Sequence, residues 1–302
     1  MAFYFKKKES PARASRRVSR ERIGRALDHL QKSDRREAVR RIRQEIKKVR
    51  ATLGLVRERM AGDTYRQCGK TLRAAARHLT EARDAHVRPR TLDQLMVHFA
   101  GRLSAQSFAG IKKLLRQNCD EQTREFEKGE SAAAVDCLLR KANRRARDLK
   151  LKADGWAAIR SGLRNTYRRG REACEVALKD ASPEHLHRWR KQVQNLRLQL
   201  RLLHPSRPKN LRAAASALKA LSRCLGDDHD LVMLQRFVTR AGNRQHPREV
   251  KMLNELIGLR RAELQPVALA LGSHFYAEKP ASFCRRLEAY WRAWRAGKKS
   301  EE

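Results

Sequence analysis

One stripe of polar, mostly cationic residues is written twice in this chain. Arg40, Arg43, Lys47 and Arg50 follow one another at intervals of three, four and three. His187, Arg190, Gln194 and Arg197 do the same 147 positions later. Side chains three and four apart share one face of an α-helix. Apolar residues occupy the other face, with Ile42, Ile46, Val49 and Leu53 in the first stretch and Trp189, Val193, Leu196 and Leu200 in the second. Two amphipathic helices in the same register hold their cations in a fixed direction. That pattern points to a built anion site rather than to scattered surface charge.

The register extends beyond these helices. Arg22, Gly24 and Arg25 match Arg168, Gly170 and Arg171, and Arg73, Arg77, Leu79 and Asp84 match Lys219, Arg223, Leu225 and Asp230, both at an offset of 146. Three blocks in one order at nearly one offset imply a tandem duplication of an antiparallel helix bundle. The halves fall at about 11–129 and 153–298, and a helix at about 130–152 connects them. Ala, Leu, Arg, Lys, Glu and Gln dominate, all strong helix formers. Val, Ile, Thr and aromatics never alternate as in strands, so the fold class is all-α. Expected helices include 64–84, 91–128, 209–225 and 228–242, with Gly101 and Gly110 able to break the second. Ser182-Pro183-Glu184 and Ser33-Asp34 read as helix starts, and Gly62, Gly226 and His204-Pro205 as stops.

The charge balance narrows the partners. Seventy Lys and Arg against 33 Asp and Glu give a net charge of +37. So large a charge repels itself unless counterions or a polyanion neutralise it, which points to nucleic acid, an anionic membrane surface or inorganic polyphosphate. The hydrophobic share of 41% still permits a packed core. No apolar run reaches 18 residues, so no membrane insertion is expected. The basic N-terminus lacks the apolar stretch of a secretory signal, and the expected location is cytoplasmic. Six widely spaced cysteines suggest neither a zinc site nor a disulfide framework, but buried or half-buried thiols.

Further cationic stripes accompany the first pair. They are Arg164, Arg168 and Arg171 beside Tyr167; Lys70, Arg73 and Arg77; and Lys219 with Arg223. Together with Arg22 and Arg25, they would line a positive channel if their helices face a common groove. Arginine offers planar donor forks to phosphate oxygens and lysine a mobile point charge. Ala82-Arg83-Asp84-Ala85-His86 and Leu225-Gly226-Asp227-Asp228-His229-Asp230 hold metal-ligand residue types. The better reading is that Asp84 and Asp230 cap helices or pair with arginines. Glu184-x-x-His187 is half of a di-iron motif, but its repeat is Glu37-x-x-Arg40, which argues against iron. No phosphate-binding glycine loop, nucleophile elbow or His-Glu-x-x-His is present. No cofactor, metal or catalytic residue is therefore assigned, and the chain is not expected to be an enzyme.

Tyr167-Arg168-Arg169-Gly170-Arg171, Glu184-x-x-His187-x-x-Arg190 with Arg197, Leu225-Gly226 with Asp230, and Ala82-Arg83-Asp84 carry a resemblance. Taken in order, the chain from about 15 to 298 resembles the CHAD family, the conserved histidine α-helical domain. The resemblance implies two four-helix bundles related by a pseudo-two-fold axis, with a basic groove or channel between them. It also implies binding of inorganic polyphosphate and association with polyphosphate granules. The family's basic positions fall on Arg43, Lys47, Arg50, His187, Arg190 and Arg197, supported by Arg73, Arg168, Arg171 and Lys219. Two departures stand out: Arg40 replaces the first-half histidine, and Gln194-Asn195 replaces the usual lysine. Arg40 stays charged where histidine is largely neutral at neutral pH.

The leading expectation is a non-catalytic polyphosphate-binding protein. The alternative is non-specific RNA or DNA binding. Sequence-tolerant single-strand binding adds aromatic stacking platforms, whereas aromatics make up 6% of this chain. Trp156, Trp189, Trp291 and Trp294 occupy apolar helical positions expected in the core. Oligomeric state is left open.

Overall fold

Proline at the first turn sets the start of four helices, because its missing N–H is not needed there and its φ is already helical. These are α1 (Pro11–Leu30), α8 (Pro183–Leu202), α10 (Pro247–Phe275) and α11 (Pro280–Ala296). The Ser10 hydroxyl accepts the Arg13 N–H at 3.3 Å and so caps α1. Gly297, at φ 85°, closes α11. The remaining helices are α2 (Arg35–Val56), α3 (Thr64–His78), α4 (Thr80–His98), α5 (Ala109–Glu127), α6 (Glu130–Arg147), α7 (Gly155–Lys179) and α9 (Arg212–Gly242). This computed structural model describes residues 3–31, 35–104, 106–128, 130–203 and 212–297. Among them the chain is all-α, with no strand beyond an isolated bridge between Met60 and Leu151. The expected start at Ser33-Asp34 and stop at His204-Pro205 lie outside the described residues.

Two helix boundaries differ from the sequence expectation, and one break falls where it allowed. The stretch 64–84 is interrupted at Leu79, where α3 ends and α4 begins. The stretch 91–128 is broken around Gly101, as expected, between Phe99 and Phe108, the latter in the left-handed region at φ 64°, whereas Gly110 lies inside α5. Gly226 does not stop a helix, since α9 runs through it. A mid-helix glycine costs only about 1 kcal/mol relative to alanine. Flanking residues outweigh that cost: Leu218, Leu221 and Leu225 are buried on one side of Gly226, and Leu231, Leu234 and Val238 on the other.

Those two runs of α9 enter two different apolar clusters. The larger joins α1, α2, α3, α6, α7, α8, the start of α9 and α11 around Ile42, Ile46, Tyr167 and Trp189. Each such side chain contributes about 1.5–3 kcal/mol when fully buried. The smaller joins Leu92 and Leu95 of α4 and Ile111 and Leu115 of α5 to the later part of α9 and to α10. Neither cluster is confined to one sequence half. Helix α2 packs against α7 and α8, and α4 against α9, while α6 lies on α1 and α3.

The α2–α7 crossing is close because Gly162 has no side chain. A Cβ there would stand 2.0 Å from the Leu55 carbonyl oxygen. Trp156, Trp189 and Trp291 are buried, and Trp294 packs on the same core. Cys68, Cys119, Cys174 and Cys284 are buried and Cys224 is half-buried, but Cys137 is exposed on α6.

Candidate functional site

With their apolar faces in the larger core, α2 and α8 lie against each other, and their cationic edges meet at a cavity of about 590 Å³. Helix α2 supplies Arg43, Lys47 and Arg50, and α8 supplies His187, Arg190 and Gln194. Helix α4 adds Arg83 and Asp84, and α9 adds His229 and Arg236. With Lys191, seven Lys and Arg side chains line the cavity against two carboxylates, Asp84 and Glu184.

Some of that charge is fixed by the fold. Arg43 donates to the Ala76 carbonyl at 2.9 Å and to the Thr80 hydroxyl at 3.2 Å, tying α2 to the α3–α4 junction. Arg83 bridges Asp84 at 2.7 Å and Asp230 at 2.9 Å, and so links α4 to α9. The Arg190 Nε is buried without an acceptor.

Burial first, and the surplus of cations second, shift the protonation of the lining groups. Burial pushes the Lys47 ammonium down to about 7; Arg190, Arg43 and Arg83 add to the shift, and Asp230 opposes it. Burial also draws Arg190 and Arg43 below the ordinary guanidinium range. His187 and His229 stack with ring centroids 4.4 Å apart, and the His187 Nδ1 is buried without a partner. Burial, followed by neighbouring cations, lowers His187 to about 4 and His229 to about 2. Both rings are therefore neutral near pH 7. Desolvated like charges are costly unless an anion joins them, so the cavity is chemically suited to phosphate oxygens.

A second hollow, of about 120 Å³, adjoins the first and shares Arg50, Gln192 and Asn195 with it. Arg73 of α3 and Arg169 of α7 face it, with Asn165 and Gln199 supplying amide groups.

The expected site residues therefore separate. Arg43, Lys47, Arg50, His187, Arg190 and Gln194 meet at the larger cavity, and Arg73 joins Arg50 at the smaller one. Arg22 is a correction: it is 2% exposed, sits 3.6 Å from Glu45 and lies under the Phe3 ring, where it serves the core. Arg40 lies away from either hollow, exposed and paired with Glu37 at 2.5 Å. Arg168 pairs with Glu172 at 2.8 Å and Arg171 with Glu175 at 3.1 Å, so neighbours one turn away take up their charge. Arg25, Lys70, Arg77, Arg197, Lys219 and Arg223 line neither hollow.

Arg83, His229, Arg236 and Arg169 were not singled out as site residues. Arg83, His229 and Arg169 fall inside motifs already visible in the sequence, but nothing local showed which way they point. Asp84 and Asp230 sit within helices rather than at their ends, so they are arginine partners and not caps. Asp228 is held by Arg261 at 2.9 Å and Gln265 at 3.1 Å. Among the described residues no group of three or more His, Cys, Asp or Glu is placed to hold a metal ion, and no helix is long and apolar enough to cross a membrane.

The model of the CHAD domain matches residues 20–239. The chain belongs to the CHAD family. A solved structure described as the CHAD domain from the plant Ricinus communis superposes with a TM-score of 0.64 at 18% identity, covering 87% of this chain and 89% of that one. At that identity the likeness establishes the shared helical fold. No curated protein sequence matches.

Proposed function

We propose that this CHAD domain binds inorganic polyphosphate, without catalysis, in the cavity between α2 and α8. The carrying observation is the excess of seven Lys and Arg over two carboxylates around that cavity. A slender chain of phosphates would neutralise this excess and release condensed counterions, as nucleic acid does on binding cationic proteins. On this reading the two sequence halves are related by a pseudo-two-fold axis, the cavity is the family's basic channel, and the protein resides in the cytoplasm at polyphosphate granules.

Nucleic acid is the competing ligand. The larger cavity is lined by no Trp, Tyr or Phe, so it offers no aromatic platform for bases beyond the histidine rings. That favours a base-free polyanion. The deciding experiment is a competition titration in which labelled long-chain polyphosphate meets single-stranded RNA or duplex DNA at rising salt. The proposal expects polyphosphate to win per phosphate near physiological salt. Equal competition would mark a general polyanion binder.

A further inference from the structure

A third basic hollow lies beyond the two already described, between the start of α7 and the end of α11. It has a volume of about 1020 Å³ and is lined by Arg59, Arg160, Arg164, Arg292 and Arg295, against Asp154 and Glu288. Arg59 belongs to a 3-10 turn, Arg57–Arg59, that follows α2. Arg292 is held by Glu288 at 2.5 Å, and Arg295 by backbone oxygens of the N-terminal segment. No described side chain bonds or pairs with Arg59, Arg160 or Arg164.

Two features of this hollow suit an anion. The first turn of α7 lines it; the N-cap residue Asp154 makes no capping hydrogen bond, and the first turn of that 25-residue helix holds no acidic residue. Its open N–H groups and the helix dipole favour negative charge. Trp156, also in the wall, is 7% exposed, and its buried indole N–H has no acceptor.

The position of the hollow matters as much as its charge. Glu58 and Asn165, hydrogen bonded at 3.1 Å, line the small middle hollow. Their sequence neighbours Arg59 and Arg164 line the outer one. The middle hollow in turn shares Arg50 with the main cavity. From Arg43 to the end of α2 is a rise of about 20 Å, so the cationic surface is several phosphate groups long.

We infer that the α7–α11 groove is a second polyanion site, continuous with the cavity, that engages only chains long enough to pass the Glu58–Asn165 pair. This rests on the polyphosphate reading above. It makes chain-length preference a property of the outer groove, while short anions are held by the cavity alone.

The test compares long-chain polyphosphate with tripolyphosphate on the full chain. Arg160→Glu/Arg164→Glu is set against Arg116→Glu/Arg244→Glu, which changes net charge equally at exposed positions elsewhere. The groove variant should weaken long-chain binding about tenfold more than the control does and leave tripolyphosphate within about twofold. Arg160→Gln/Arg164→Gln should flatten the long-chain salt dependence by roughly 1.4 in logarithmic slope, two contacts at about 0.7 each by analogy with single strands. Equal losses in groove and control variants, or equal losses for both ligands, overturn the inference. If wild-type chain binds neither phosphate polymer, the cavity reading itself falls and takes this extension with it.

Discussion

Lys47 should make polyphosphate binding depend on pH. Its ammonium is brought down to about 7 by burial beside Arg43, Arg83 and Arg190. At pH 8 such a lysine carries its proton in about one molecule in eleven, and at pH 6 in about ten of eleven. A phosphate oxygen beside Nζ stabilises the charged form, so binding draws in a proton. If the bound lysine recovers its ordinary pKa, affinity follows the protonated fraction and rises about tenfold from pH 8 to pH 6, or about 1.4 kcal/mol. Titration calorimetry in buffers of different ionisation enthalpy would read this as an uptake of about 0.9 proton at pH 8. Long-chain polyphosphate keeps the titrating end groups a small share of the ligand charge. Lys47→Met should bind less tightly at pH 6 and lose most of the slope. The same slope in both proteins, or a flat profile in the wild type, would refute the reasoning.

The ligand-free protein supplies an independent check on the same residue. Unfolded lysine keeps its proton to about pH 10.5, whereas folded Lys47 releases it from about 7. Between those values the unfolded state binds more protons, so this group makes stability rise with pH by up to about 1.4 kcal/mol per unit.

Three further outcomes are expected. His187 and His229 stay neutral in the folded protein down to about 4 and about 2, while unfolded histidine protonates near 6.5; stability should fall as pH drops below about 6.5, and His187→Gln/His229→Gln should blunt that fall in thermal unfolding. Gly162→Ala forces a methyl group against the Leu55 carbonyl and should cost about 1–3 kcal/mol in denaturant unfolding. Arg22→Met removes one of two cations beside buried Glu45, which keeps Lys48 at 2.6 Å, and should cost about 1–3 kcal/mol, yet polyphosphate affinity at a temperature where it stays folded should be unchanged, since Arg22 lines none of the hollows.

Much of the site was legible from spacing, because helical periodicity is a local property. Intervals of three and four placed Arg43, Lys47 and Arg50 on one edge of α2, and His187, Arg190 and Gln194 on one edge of α8. The apolar residues between them required those edges to face away from the core. The same local rule also places Glu37, Glu172 and Glu175 one helical turn from Arg40, Arg168 and Arg171, the partners they pair with outside the hollows. Whether such a surface pair forms depends on what else competes for each cation, which spacing does not state.

What tertiary structure alone decided is which stripes converge. Arg83 and Asp230 meet although 147 residues separate them, and His229 reaches His187 only because α9 runs straight through Gly226. Arg22 and Arg43 have the same charge and both sit on helix faces, yet one is sealed in the core beside Glu45 and the other borders a cavity. A helix face fixes direction relative to its own axis. The direction relative to every other helix comes from how the apolar surfaces pack, and that packing is a property of the whole chain.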